Sequence, residues 1–202
     1  MRRLSLTALA AGTLATGVSL TAPAAMAAAP AQPAPMRMNT NISEGDILKA
    51  QSTWCSALLA ISKAYREGGL SKARASANQV LDQAYAYRYG AVAFKPTLTS
   101  GAQTFRPTKD GALAYFVGAD PRYPQDKGFA LKPWTRCSVS NQVLQTHGML
   151  GLSMGNVHLT DSSGKITSVD KTWVFIKEPD GSIRILLHHS SLPYQPPAAT
   201  KP

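Results

Sequence analysis

The chain has 202 residues, with 21 Lys and Arg against 11 Asp and Glu, and a formal charge of +10. At 44% hydrophobic residues it is too apolar for a disordered protein and long enough for one domain with its own core. Two cysteines and four histidines, all scattered, exclude a four-ligand structural zinc site. The positive excess begins in a segment that resembles a secretory signal peptide. Met1-Arg2-Arg3 is basic, residues 4–20 are uncharged and apolar, and Ala25-Met26-Ala27 matches a small-residue cleavage site. Cleavage after Ala27 would remove two arginines and leave a periplasmic or secreted chain with no membrane span. The remaining Lys and Arg stand singly rather than clustered with aromatics, which argues against a nucleic-acid partner.

Residues 28–40 are Ala- and Pro-rich and read as a loose linker, residues 41–194 as the folded domain, and residues 195–202 as a Pro-rich tail. Ser43 is placed to cap a helix, with Asp46 three residues on as a relative of the capping box. Ile47, Trp54, Leu58, Ile61 and Tyr65 form its apolar stripe, and Gly68-Gly69 ends it. Ser71 can cap a second helix, with Ala73, Ala77, Val80, Leu81 and Ala84 inward and Gly90 just past its end. A short strand over 91–95 is cut by Pro96, and a third helix runs from Thr108 to Gly118.

From there the pattern changes to long strands over 133–146, 149–160, 167–177 and 182–191. The intervening HG, DSSG and PDG segments are turn chemistry, which predicts an antiparallel meander. Helices first and strands after define an α+β fold, with N-terminal helices packed on a long curved antiparallel sheet that forms a cone around a pocket. Without β-α-β alternation, a doubly wound parallel sheet is excluded. Cys55 and Cys137 can pair in an exported protein or remain two buried thiols.

The chain has no G-x-S-x-G elbow, P-loop, H-E-x-x-H or paired carboxylates. Its unusual stretch is the last strand. Alternation puts His188 and Ser190 on one face with Leu186, and His189 and Ser191 on the other. Thr97 follows the early strand and Tyr115 lies in the third helix. Each has a plain structural alternative: a strand ending in polar residues, a turn cap, a half-buried aromatic. Asn156 and His158 share a face with Met154, as a satisfied polar row at the sheet edge would.

Six ordered segments carry a resemblance. FKPTLTSG (94–101), the stretch from Thr104 to Asp120 (with Ala119), GFALKPW (128–134), MGNVHLTD (154–161), VDKTW (169–173) and HHSSLPY (188–194) resemble the iota class of carbonic anhydrases. The match spans about residues 54–194. It implies a cone-shaped fold like those of the calmodulin-dependent kinase association domain and nuclear transport factor 2. It also implies a homodimer, and a pocket for carbon dioxide and bicarbonate built from Thr97, Tyr115, His188 and Ser190. By that resemblance, Thr97 and Ser190 orient water or bicarbonate. Tyr115 polarises water or donates to the developing anion, and His188 tunes the network or moves the proton, so the base is either Tyr115 or His188. Some relatives work without a metal, while others have been described with zinc or manganese. A zinc enzyme needs three clustered ligands and an open position, and His147, His158, His188 and His189 supply no such trio by strand parity. A cofactor-free enzyme is therefore expected. The alternative is a non-catalytic ligand-binding or oligomerisation module on the same fold.

Overall fold

The computed structural model describes residues 39–196. The expected signal peptide, nearly all of the linker and most of the tail lie outside the described residues. The first long element, α1, spans Glu44–Ala84. Ser43 caps it with a full capping box: its Oγ accepts from the Asp46 amide at 3.1 Å, and the Asp46 carboxylate accepts from the Ser43 amide at 3.0 Å.

The two expected helices run on as this one element, broken at Gly68 and Gly69, whose backbones are non-helical. Gly69 sits at φ +65, and a Cβ on Gly68 would come within 2.6 Å of the Lys72 side chain, so neither position accepts a larger residue without strain. Ser71 accordingly lies inside α1 and does not cap a separate helix. The element stops at Ala84; Gly90 instead closes a single 3-10 turn at Tyr87–Tyr89. The predicted stripe is buried except for Tyr65, which is exposed, while Gln51 joins the buried face.

Strand β1 is Ala93–Lys95 and helix α2 is Lys109–Val117, capped by Thr108. Then come β2 (Trp134–His147), β3 (Leu150–Asp161), β4 (Ile166–Lys177) and β5 (Ile183–Ser191). The sheet order is β1-β5-β4-β3-β2. The meander of β2 to β5 is antiparallel as expected, but β1 adds to β5 in parallel, so the sheet is mixed. Parallel pairing is available because α2 and strands β2 to β4 lie between β1 and β5, a connection long enough to return the chain in the same direction.

Register shifts in β2 and between β4 and β5 add local twist, which curves the sheet around α1. One of them changes the expected alternation in β5. Phe175 pairs with Ile185 and Val174 with Leu187, leaving Leu186 as the extra residue. Ile185, rather than Leu186, is therefore the buried neighbour of His188. Gly155 permits another close approach, since a Cβ there would lie 2.0 Å from the Ser140 carbonyl oxygen.

The core lies between α1 and the concave face, where Trp54, Leu58, Leu81, Tyr85, Val157, Leu159, Trp173 and Phe175 cluster. A disulfide joins Cys55 on α1 to Cys137 on β2, which decides the open choice between a bridge and free thiols. Gln51 bridges the same two layers, bonding Asn141 and Ser153. Closing 82 residues into a covalent loop stabilises the fold by about 4 to 5 kcal/mol in the chain-entropy account. Replacing both cysteines with alanine should lower unfolding stability by several kcal/mol, measured by urea denaturation. A loss below about 1 kcal/mol would show that the bridge is incidental.

Candidate active site

Strand β1 runs out at Lys95, and Pro96 turns the chain so that Thr97 meets the end of β5. Thr97 Oγ1 and Ser190 Oγ share a hydrogen bond of 2.5 Å, and both residues are buried. Tyr115 comes from α2, held by the face of Phe129 and the edge of Phe94. Its hydroxyl is buried without a hydrogen-bond partner. Burial raises its pKa above the ordinary tyrosine value, outweighing the polar groups of Thr97 and Leu98 that lie nearby without meeting hydrogen-bond geometry. Tyr115 is therefore a protonated phenol near neutral pH, with a donor to spare.

His188 occupies a different compartment of the same face. It pairs in register with Phe94 on one side and Trp173 on the other, and the rings of Trp54, Tyr85, Phe94 and Trp173 surround it. Its Nδ1 shares a 2.8 Å hydrogen bond with the Tyr85 hydroxyl, which also accepts from Trp54 Nε1 at 3.0 Å. Its Nε2 lies 2.7 Å from Lys171 Nζ. Desolvation, followed by the nearby charges of Lys171 and His189, holds the imidazole pKa well below 6.5.

The structure thus brings Thr97 and Ser190 into direct contact and Tyr115 beside them. His188 sits two residues away on β5, with no hydrogen bond to the other three. His189 points outward, as parity required.

The sequence reading missed Lys171, Tyr85 and Trp54. Lys171 is only 4% exposed, and desolvation, with a smaller contribution from Lys95, lowers its pKa to about 7. Its signal was the alternation Val169, Lys171, Trp173, Phe175, which puts a lysine on an otherwise apolar inward row. The polar row of Asn156 and His158 exists, but on the open face of the sheet rather than at its edge. There His158 bonds Ser140 and Ser168, and Asn156 bonds Asp170.

Two cavities flank this region. One, of about 400 Å³, opens onto Tyr115 and is lined by Tyr65, Leu98, Asp126, Phe129 and Leu131. The other, of about 340 Å³, lies under α1 among Ala50, Ala57, Val80, Phe175 and Ile185. Of the four sequence-predicted residues, Tyr115 lines the first cavity and none lines the second. Among the described residues, no three His, Cys, Asp or Glu side chains gather as metal ligands. Nor is any helix long and apolar enough to cross a membrane.

Helix α1 packed on a curved sheet, with buried hydroxyls and an imidazole on the inner face, makes this a cone-shaped α+β domain. The family model for metal-independent carbonic anhydrases matches residues 45–192, and the chain belongs to that family. It is 49% identical over 158 residues to a metal-independent carbonic anhydrase of Nostoc sp. (strain PCC 7120 / SAG 25.82 / UTEX 2576), covering 78% of this chain and 77% of the relative. The solved structure of a cyanobacterial iota-carbonic anhydrase complexed with bicarbonate aligns with a TM-score of 0.77 at 49% identity, covering 78% of this chain and 96% of that one. A Xanthomonas campestris protein described as a calcium/calmodulin-dependent protein kinase II association domain aligns at 20% identity and a TM-score of 0.47, over 77% and 91% of the two chains. The activity is the reversible hydration of carbon dioxide without a metal cofactor.

The buried bases fix how stability responds to pH. Lys171 and His188 are neutral in the fold down to about 7 and well below 6.5 respectively, but both become cationic at higher pH once the chain unfolds. The unfolded chain therefore binds more protons across this range, and stability rises with pH. For Lys171 the window runs from about 7 toward the ordinary lysine value, and for His188 it lies below 6.5. Urea midpoints should increase from pH 5.5 to 9, and Lys171→Met should flatten the portion above 7. An unchanged slope in that variant would contradict a neutral Lys171.

Proposed function

We propose that Thr97, Tyr115, His188 and Ser190 carry the hydration, in an exported homodimer. The observation that supports this most is the pair of bonded hydroxyls, Thr97 and Ser190, beside the unpartnered hydroxyl of Tyr115. A buried donor left free inside a polar cluster costs stability unless a ligand satisfies it. Carbon dioxide is apolar and becomes an anion as water adds, so the free donor is worth most when the product oxygens form.

In the hydration step a water oxygen attacks the carbon, a C–O bond forms as one C=O π pair moves onto oxygen, and one water O–H bond breaks to release a proton. Thr97 and Ser190 have hydroxyls to orient that water. Tyr115, protonated by its raised pKa, donates to the oxygen that gains charge and is not the base. His188 is too weak a base to act alone, because burial depresses its proton affinity. Its role is to tune the buried network next to Ser190.

Export is supported by the N-terminal reading and by the disulfide, which suits an oxidising compartment. Dimerisation is supported by the open sheet face, where Leu150 and Met154 are exposed beside Leu152, Val174 and Ile176.

Stopped-flow hydration on the purified protein tests the site. Tyr115→Phe should lower kcat about a hundredfold with the fold intact. Ser190→Ala should also slow the reaction, and the wild-type rate should survive chelators. Full activity in both variants would remove these residues from the mechanism. Met154→Glu should shift the dimer toward monomer in light scattering; an unaltered mass would place any interface elsewhere.

A further inference from the structure

Neither candidate base has a proton affinity suited to neutral pH. Tyr115 keeps its proton and His188 is weakened by burial, so the proton released by hydration needs another acceptor. Lys171 is opposite Ser190 in the β4–β5 register, on the same buried face, and its Nζ contacts His188 Nε2. Among the described residues no carboxylate bonds to it. Its surroundings are the rings of Trp54 and Trp173, at 4.8 and 5.4 Å, and the cations or bases Lys95, His188 and His189.

Hydrogen-bond accounting along the chain from Trp54 to Lys171 distinguishes two proton arrangements. In the first, Trp54 N–H donates to the Tyr85 oxygen, Tyr85 O–H donates to His188 Nδ1, and His188 Nε2–H donates to Nζ. Every proton in that chain has an acceptor, but Nζ must offer a lone pair, so Lys171 is a neutral amine. In the second, a Lys171 ammonium donates to Nε2, and Nδ1–H donates to the Tyr85 oxygen. The Tyr85 hydroxyl proton then loses its acceptor. The two states differ by one proton and by the tautomer of a ring that stays neutral in both.

We propose that Lys171 is a positioning residue for the carbon dioxide site, acting through His188: a neutral amine while the site holds neutral substrate, and an ammonium when it holds bicarbonate. The inference rests on the site assignment above and adds the group that balances its charge. Hydration forms one C–O bond, breaks one water O–H bond and yields one proton and one anion. Uptake of one proton by the pair forms an N–H bond at Nζ, as His188 passes its Nε2 proton on and gains one at Nδ1 from Tyr85. The Tyr85 oxygen takes the incoming proton, carried by a water from the hydroxyl cluster, because no side-chain hydrogen bond joins the two groups. The buried site then contains one cation and one anion, instead of an unbalanced charge whose desolvation would be costly.

Nuclear magnetic resonance on the full-length protein, labelled in histidine ring nitrogens and lysine Cε, tests this without a variant. At pH 9 His188 should carry its proton on Nε2. On acidification it should switch to Nδ1, with the same midpoint as the Lys171 Cε titration, near 7. Sodium bicarbonate added between pH 7 and 9 should raise that shared midpoint by at least one unit, a tenfold change in proton affinity. A proton on Nδ1 at pH 9, a Lys171 midpoint near 10, or a midpoint indifferent to bicarbonate would each overturn the proposal. In the rate profile, Lys171→Arg should be at least tenfold slower at every pH. Lys171→Met should lose the acid limb of kcat/KM that the wild type shows near 7; a retained limb would overturn the proposal. An active Ser190→Ala enzyme with a coupled Lys171–His188 titration would instead reject the site assignment alone.

Discussion

Three residues of parallel pairing hold the site together. Where Phe94 and Lys95 lie beside His188 and His189, the chain that continues from β1 delivers Thr97 to Ser190, and Phe94 forms one wall of the His188 compartment. Lys95 adds to this join by donating from Nζ to the Ser190 carbonyl at 2.9 Å. The same phenylalanine touches Tyr115 with its edge, so α2 takes its position from this strand as well. A strand this short has little stability of its own. It persists because Val92 and Phe94 are buried in the common core and Arg106 returns a backbone bond to Phe94.

Around that join the candidate site divides into a hydroxyl half and an aromatic half. Thr97, Ser190 and Tyr115 bring three buried hydroxyls together, with Tyr115 also lining a cavity. His188 and Lys171 are instead enclosed by indole, phenol and phenyl rings, where a charge has almost no solvent to lean on. Such surroundings make an amine with a near-neutral pKa, a state that exposed lysines never reach. The two halves meet on β5 and on its partner strand, with Ser190 opposite Lys171 and His188 opposite Trp173.

Local chemistry made much of the fold readable from sequence. The Ser43–Asp46 capping box, the helix-breaking pair Gly68–Gly69 and the turns between the long strands each depend on neighbours in the chain, and each is found where its residues predict. The parallel partner of β1 and the bulge at Leu186 depend on contacts remote in sequence, so alternation alone gave a wholly antiparallel sheet and the wrong neighbour for His188. Thr97, Tyr115, His188 and Ser190 came from resemblance to a family, because a threonine after a strand and a tyrosine in a helix also have ordinary structural uses. Lys171 went unassigned because a lone lysine reads as surface charge. Its inward parity, between Val169 and Trp173, was the sign that it is not.

The covalent loop closed by Cys55 and Cys137 contains Tyr85, Phe94, Thr97 and Tyr115, whereas Lys171, His188 and Ser190 lie beyond its C-terminal end. The bridge therefore closes a ring around one part of the proposed site and leaves the other part on β4 and β5, outside that ring. A chain that folds where thiols stay reduced must align the two halves through packing alone. The redox character of the compartment therefore bears on the alignment of the two segments, since only an oxidised chain has the ring.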